Sequence, residues 1–275
     1  MELSVNGHKT YCYTGGKALD AAKLTLVFVH GGLHDHSVWI LQSRYFANHG
    51  WNVLVPDLPG HCRSQGAPPT SVEAAADFVI GLIRASGQSK VALVGHSFGS
   101  LIAMEVASRE PGLVNKLVLI GTASPMKVSD ALLEGSIKSP IKAMEMVNLF
   151  SRSTLAAPPS VLGPGTWVYG GSLALAKRVF ASNSNANVFH ASFKACNDYT
   201  GGEAAMARVQ CPVLFILGKV DQMTPPKAAA GLIKAAQQGG AAVRVVNVNS
   251  GHHQMSEAPE ETLAALKDFL KLPNP

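Results

Sequence analysis

The sequence has little charge, few cysteines and no long apolar run. Only 15% of its 275 residues are charged, and the Lys and Arg residues are scattered, whereas a nucleic-acid surface needs them clustered. The four cysteines lie far apart with no C-x-x-C spacing, which argues against a zinc site or a dense set of disulfides. No stretch reaches the length of about 18 apolar residues that a membrane-spanning helix needs. The first residues show neither a basic region nor an apolar region typical of a secretory signal.

These absences define what we expect of the protein as a whole. We expect a reduced, cytoplasmic protein with no nucleic-acid partner and no membrane partner, present as a monomer or homodimer. With 47% hydrophobic residues, the chain is too apolar to be disordered, and its length suits one α/β domain or a core with an insertion.

Short apolar runs, mostly β-branched, alternate along the chain with segments of helical pattern. The runs are Leu24–Val29, Val53–Val55, Val91–Val94, Leu117–Ile120, Val213–Leu217 and Val243–Val248. The helical patterns are Val38–His49, Val72–Ala85, Phe98–Arg109, Pro226–Ala236 and Glu260–Leu270. Such alternation is typical of a doubly wound parallel sheet. An N-terminal hairpin, Leu3–Val5 and His8–Tyr13 around Asn6-Gly7, brings the predicted sheet to eight strands, mostly parallel.

The alternation stops between about Ser124 and Ala205. This stretch has no clear strand and carries several prolines and glycines, and it is too long for a single crossover connection. We therefore predict an inserted helical lid at residues 124–205, with the core formed by residues 1–123 and 206–275.

The sharpest local signal is the G-x-S-x-G pattern at Gly95–Gly99, centred on Ser97. It follows the predicted strand at residues 90–94 directly and opens the helix that continues through Leu101. A serine on such a turn has a strained backbone and an exposed hydroxyl, and its flanking glycines avoid collisions with the neighbouring strand and helix. The alternative is a Gly-Ser turn without chemistry, which the position between strand and helix disfavours. We predict that Ser97 is a nucleophile.

A serine nucleophile needs a base, and the base needs an acid that orients it. The adjacent histidines His252 and His253 follow the last predicted strand, and Asp221 follows the strand before it. The chain order Ser, Asp, His is the one expected of a nucleophile elbow in this topology. Asp221 could instead cap the helix that follows, and one of the two histidines must be structural.

Together these segments resemble the α/β-hydrolase fold family, in particular its lid-bearing group of small esterases, cofactor-free haloperoxidases and carbon–carbon bond hydrolases. The matching segments are His30–Gly32 with Trp39, Val55–Ser64, the turn at Ser97, Leu217–Pro226 and Gly251–Glu260. The sequence departs from the family at Cys62, where the family usually has glycine.

The resemblance implies roles for individual residues. It implies that His252, five residues before Glu257, is the catalytic histidine and His253 is not. It also implies that the backbone N–H of Gly32 is one oxyanion donor, with Leu33 as the fallback, and that the N–H of Phe98 is the other.

Other polar residues are candidate ligands. His30, His34 and His36 could be interpreted as a metal cluster, but no further ligands follow at a defined spacing, so we expect no metal. The glycine-rich loop around Gly32 lacks a phosphate-binding pattern, and we expect no cofactor. As residues that contact the substrate we predict His34, His36, Met126 and Trp167.

The sequence thus predicts a serine hydrolase that cleaves a small carboxylic ester or a related acyl compound through Ser97, His252 and Asp221. Carbon–carbon bond hydrolysis, lactone opening and perhydrolysis use the same triad and remain alternatives. From another class, a ligand-binding receptor with vestigial hydrolase activity would carry the same residues.

Overall fold

The structure, a computed structural model, describes residues 1–153 and 168–271. Its eight strands are β1 (Glu2–Val5), β2 (His8–Tyr13), β3 (Thr25–Val29), β4 (Asn52–Pro56), β5 (Val91–His96), β6 (Val114–Ile120), β7 (Val213–Gly218) and β8 (Val243–Val248). They form one sheet in the order β1-β2-β4-β3-β5-β6-β7-β8. β1 pairs antiparallel with β2, and β2 with β4, whereas every other pair is parallel. The predicted eight-stranded, mostly parallel sheet is confirmed.

The helices connect these strands. They are α1 (Ile40–Asn48), α2 (Val72–Ala85), α3 (Phe98–Arg109), α4 (Asp130–Lys138), α5 (Pro140–Ser151), α6 (Val168–Ala181), α7 (Val188–Asp198), α8 (Gly202–Met206), α9 (Ala230–Gln238), α10 (Gln254–Glu257) and α11 (Pro259–Lys271). Within the described residues, no helix is long and apolar enough to cross a lipid bilayer.

Successive side chains of the central strands point to opposite faces of the sheet and form one core on each face. On β3, Val27 and Val29 belong to the core beneath α2 and α3, whereas Leu26 and Phe28 belong to the core beneath α1 and α11. Successive side chains of a strand point to opposite faces, so a strand covered on both faces must be apolar throughout. This explains why the central runs are continuous rather than alternating.

The N-terminal hairpin forms as its turn residues predict. Asn6 and Gly7 take φ angles of 51° and 80°, the pair of positive values that a type I′ turn requires. Asparagine and glycine adopt this left-handed conformation at low cost, so the dipeptide determines the register of β1 against β2.

Three elements differ in detail from the sequence patterns. The predicted helix Val38–His49 begins at Ile40, because its first two residues belong to a 3₁₀ turn, His36–Trp39. The residues predicted to begin α9 form another 3₁₀ turn, Pro226–Ala229. β8 lies at the edge of the sheet, and most of its residues are exposed or half-buried, unlike the fully buried β7. β8 is apolar enough to look central, but an edge strand has a neighbour on one side only.

Between β6 and β7 the chain leaves the sheet and forms α4–α7. These helices make a third small core with Leu33, which lies just past the carboxyl end of β3. α8, which includes residues on both sides of the predicted boundary at residue 205, packs against α3 and α9. We refer to α4–α7 as the helical segment.

Candidate active site

Ser97 lies at the junction of β5 and α3, on a backbone that few residues tolerate. Its φ and ψ are 53° and −121°, and its N–H donates to the Ile120 carbonyl at 2.9 Å. A Cβ at Gly95 would lie 2.1 Å from the Gly99 carbonyl oxygen, and one at Gly99 would lie 2.3 Å from that of Val29. The two glycines are therefore required for the helix to approach the sheet this closely. The strained turn lifts Ser97 above the sheet edge, at the start of α3.

The structure brings His252 and Asp221 together at the same edge. The Nδ1 atom of His252 lies 2.9 Å from Oδ2 of Asp221, and both side chains are buried. A carboxylate can only accept, so Nδ1 of His252 is the donor, and in the neutral imidazole this tautomer has its lone pair on Nε2. His252 lines the same cavity as Ser97, and this tautomer is the one a general base for a hydroxyl needs.

Asp221 is held in place by four further donors. Its Oδ1 accepts the backbone N–H groups of Met223 and Thr224, each at 2.8 Å. Its Oδ2 also accepts from the Thr224 hydroxyl at 2.7 Å and from Gln254 Nε2 at 3.4 Å. Burial alone would raise the pKa of Asp221, but His252 and these donors outweigh it, so the pKa lies below its ordinary value. The carboxylate therefore stays charged beside the imidazole.

The main chain of His252 is bound on both sides. Its N–H donates to the Ser151 carbonyl at 2.7 Å, and its own carbonyl accepts from Nε2 of His96 at 2.7 Å. Burial lowers the pKa of His96 to about 3, and it also lowers the pKa of His253 well below its ordinary value. Both neighbours of His252 are thus neutral, and they add no positive charge beside its imidazole.

The loop after β3 is anchored by a buried histidine. Nε2 of His30 accepts the Leu58 N–H at 3.1 Å, so its proton is on Nδ1, which donates to the Gly31 carbonyl at 2.8 Å. In a trans peptide the C=O of Gly31 and the N–H of Gly32 point in opposite directions. This bond therefore sets the direction of the Gly32 N–H. Leu33 follows with a φ of 57°.

One cavity runs between the sheet edge and the helical segment. It is lined by residues of both: Gly32, Leu33, His34, His96, Ser97, Phe98, Met126, Lys127, Val128, Met144, Val147, Asn148, Ser151, Ser172, Ala176, Phe193, Cys196, Met223, Thr224, His252 and His253. Half of these side chains are apolar, but they supply most of the cavity surface, and Lys127 is the one ordinarily charged residue among them. The cavity suits a small, largely apolar molecule.

Most of the predicted site residues line this cavity, and His36 does not. The structure brings together Ser97, His252, Gly32, Phe98, Leu33, His34 and Met126, with Asp221 directly behind His252. His36 does not line the cavity, because it turns to Asp57, with Nδ1 at 2.7 Å from Oδ1. Trp167 lies outside the described residues. The Ser124–Ala205 boundaries of the lid stay predictions.

Sequence reasoning missed the main wall that the helical segment supplies. Met144, Val147, Asn148 and Ser151 of α5 all line the cavity. Their positions i, i+3, i+4 and i+7 are one face of a helix, so helical spacing could have identified them. Nothing in the sequence, however, indicates that this face meets the sheet edge.

The three histidines of the loop after β3 do not converge on one point. His30 bonds Leu58 and Gly31, His34 stacks on His96, and His36 pairs with Asp57. The ligand atoms of Asp35, His36 and Asp57 do lie within 4.8 Å of one another. Arg178 already pairs with Asp35, however, so this set carries its own counter-charge.

The loop residue that departs from the family pattern, Cys62, has a left-handed backbone. Its φ is 42°, a conformation that favours glycine. Its thiol lies 3.3 Å from Oδ2 of Asp35, and burial raises the pKa of the thiol to about 12. All four cysteines are free.

Comparisons with known proteins identify relatives of the chain and of its fold. Residues 25–156 match the family model of the alpha/beta hydrolase fold. The chain is 26% identical over 256 residues to (E)-2-((N-methylformamido)methylene)succinate hydrolase of Acinetobacter baylyi, covering 90% of each chain. It is 28% identical over 253 residues to human protein ABHD8, covering 90% of this chain but only 55% of that one.

A solved structure shows the same fold over the whole chain. The enol-lactonase from Burkholderia xenovorans superposes with a TM-score of 0.81 at 19% identity, covering 99% of this chain and 100% of that one. The eight-stranded sheet, the strand–turn–helix at Ser97 and the matching family model lead to one conclusion. The chain has the α/β-hydrolase fold, and it is a hydrolase.

Proposed function

We propose that this hydrolase cleaves a small carboxylic ester or a related acyl compound, with Ser97 as nucleophile, His252 as base and Asp221 as the orienting acid. The observation that carries the proposal is the 2.9 Å contact between His252 Nδ1 and Asp221 Oδ2, behind a cavity that both His252 and Ser97 line. The strained turn at Ser97 supports it, since a serine placed for packing alone would not need φ of 53°.

The reaction follows from these positions. Ser97 Oγ attacks the acyl carbon while Nε2 of His252 takes its proton, and Asp221 stabilises the imidazolium that forms. The N–H groups of Gly32 and Phe98 bind the developing oxyanion, and the N-terminus of α3 adds positive potential there. His252 returns the proton to the leaving group and then activates a water that releases the acid from Ser97.

We propose that the helical segment acts as a lid that selects the substrate, within predicted bounds of residues 124–205. A Cβ at Gly32 would lie 2.8 Å from the Phe193 ring of α7, so this segment packs directly on the proposed oxyanion loop. The apolar lining favours a short, uncharged acyl group, and exclusion of water strengthens the hydrogen bonds to the oxyanion.

A fluorophosphonate probe tests the nucleophile directly. We expect stoichiometric labelling of Ser97, detected by intact and peptide mass spectrometry, because the probe reacts only where a serine is activated beside an oxyanion site. Ser97→Ala should fold normally, resist labelling and lose ester turnover by orders of magnitude. Well-folded protein that resists labelling would support the ligand-binding receptor instead.

The two adjacent histidines provide a matched pair for the base. We expect His252→Ala to abolish labelling, and His253→Ala to affect it only mildly, because His253 does not touch Asp221 in the described hydrogen bonds. The reverse pattern would assign the base to His253. A panel of linear esters, lactones and diketones, each tried in water and with peroxide, then separates ester cleavage from the alternatives.

A further inference from the structure

The end of helix α5 lies against the loop that carries His252. Ser151, the last residue of α5, accepts the His252 N–H at 2.7 Å. A Cβ at Gly251 would lie 2.7 Å from the Ser151 carbonyl oxygen and 2.7 Å from the Ser153 nitrogen. The helical segment and the histidine loop are therefore in direct main-chain contact, with no side chain between them at this point.

One buried carboxylate, that of Glu257, bridges these two segments of the chain at their contact. Its Oε2 accepts two backbone N–H groups. That of Ser153, next to α5 of the helical segment, lies at 2.8 Å, and that of Gly251, in the histidine loop, lies at 3.2 Å. Its Oε1 accepts the N–H of His253 at 3.3 Å. Three backbone donors converge on this side chain, one immediately before His252 and one immediately after it.

The side chain of Arg152, the residue that follows α5, reinforces the bridge. Nη1 of Arg152 donates to Ser256 Oγ at 3.3 Å, one residue before Glu257. Burial lowers the pKa of Arg152, and the nearby charge of Glu257 partly opposes that shift. The carboxylate thus has a cation of the helical segment close by, which offsets part of the cost of burying it.

We propose that Glu257 is a positioning residue that fastens the end of α5 to the loop of His252, so that the helical segment helps to hold the catalytic base in place. The proposal rests on the proposed function, since it takes His252 as the base. Glu257 touches neither Ser97 nor the cavity; it acts through the main chain of residues 251–253. If the end of α5 separates from the loop of His252, we expect turnover to fall although Ser97, His252 and Asp221 are unchanged.

Glu257→Gln tests the proposal with little change of shape. The amide keeps one acceptor but turns an NH₂ group toward backbone N–H groups that need an acceptor. We expect kcat on a short ester to fall about tenfold to a hundredfold, because a small displacement of a catalytic group costs that much. KM should change far less, since the cavity lining is unaltered.

Glu261→Gln is the matched control. Glu261 also binds the same loop, accepting the backbone N–H of Asn249 at 3.0 Å and its side-chain amide at 2.9 Å. It is exposed and makes no described bond to the helical segment. We expect its substitution to leave kcat near that of the parent enzyme. Equal losses in the two variants, or a rise in KM alone, would overturn the proposal.

A spectroscopic readout separates this proposal from the proposed function. The Nδ1 proton of His252 shared with Asp221 gives a low-field proton resonance, which is assigned by its loss in Asp221→Asn. We expect the resonance to shift or broaden in Glu257→Gln and to stay in place in Glu261→Gln. Absence of probe labelling at Ser97 in the parent protein would reject the proposed function, whereas an unchanged resonance in Glu257→Gln would reject the positioning role.

Gly251→Ala breaks the same contact from the other side if Glu257→Gln does not fold. The added methyl group pushes the Ser151–Ser153 main chain away from the loop and leaves the carboxylate intact. We expect the same fall in kcat. Gly112→Ala is its control, because a methyl group there meets no described atom within 4 Å. Parent-like kcat and resonance in Gly251→Ala would contradict the proposal.

Discussion

Two histidine–aspartate pairs lie past the carboxyl ends of the parallel strands, and they differ in what surrounds them. His252 and Asp221 are 2.9 Å apart beside the cavity that Ser97 lines. His36 and Asp57 are closer, at 2.7 Å, yet they lie outside that cavity. A short contact between imidazole and carboxylate is therefore no sign of catalysis by itself.

The second pair binds loops together. Asp57 accepts the backbone N–H of His36 at 2.9 Å and that of Arg63 at 3.2 Å, which joins the loops after β3 and β4. The ring of His36 packs edge-on against Tyr11, with centroids 4.9 Å apart. The comparison teaches that the surroundings of the imidazole distinguish the pairs: His252 lines a cavity together with a serine, whereas His36 packs against Tyr11 outside that cavity.

The largest effect separates the two aspartates. We expect Asp221→Asn to lower kcat about 10⁴-fold, because an amide donor next to Nδ1 favours the wrong imidazole tautomer. Asp57→Asn should leave kcat near that of the parent and lower the free energy of unfolding by about 1–3 kcal/mol, through lost loop hydrogen bonds. Steady-state kinetics and urea unfolding on both variants measure this. Similar kinetic losses at the two sites would remove the distinction between the pairs.

A second effect concerns the buried histidines that surround both pairs. Burial lowers the pKa of His61, beside the Asp57 pair, to about 4, and that of His96, beside His252, to about 3. Between these values and the unfolded value near 6.5, the unfolded chain binds more protons, so stability falls as the pH falls. Each such histidine contributes a slope of up to about 1.4 kcal/mol per pH unit.

Urea unfolding between pH 7.5 and pH 5 measures that slope. We expect the free energy of unfolding to drop across this range in the parent protein. His61→Gln should reduce the slope of the unfolding free energy against pH by about the contribution of one histidine, because the variant has no group to titrate there. A slope that His61→Gln leaves unchanged would show that this histidine does not couple folding to pH.

The smallest effect on stability concerns Cys62, in the loop after β4 near the His36–Asp57 pair. In Cys62→Gly we expect a change in unfolding free energy of within about 1 kcal/mol, since relief of a left-handed backbone offsets the lost thiol contact to Asp35. Cys62→Ala keeps the strained backbone without the thiol, so it should be less stable than Cys62→Gly. Thermal unfolding of both variants compares them, and the opposite order would mean that the backbone strain is negligible.

The amino-acid sequence by itself determined the features that depend on neighbouring residues. Asn6-Gly7 specified its hairpin turn, and the apolar runs specified the strands, although the run at Val243–Val248 forms an exposed edge strand and not a buried one. The glycines around Ser97 specified the elbow, because only they let α3 approach β5. Each of these is a steric or conformational requirement of contiguous residues, and such requirements are readable before the chain folds.

Only the tertiary structure decided which distant groups meet. It turned His36 to Asp57 and His252 to Asp221, although both histidines follow strands and both have acids after neighbouring strands. It also brought the end of α5 to the loop of His252, where the Ser153 N–H meets Glu257. The physical reason is that these contacts join segments far apart in the chain. Packing of the helical segment on the sheet edge selects them, and no local pattern encodes that packing.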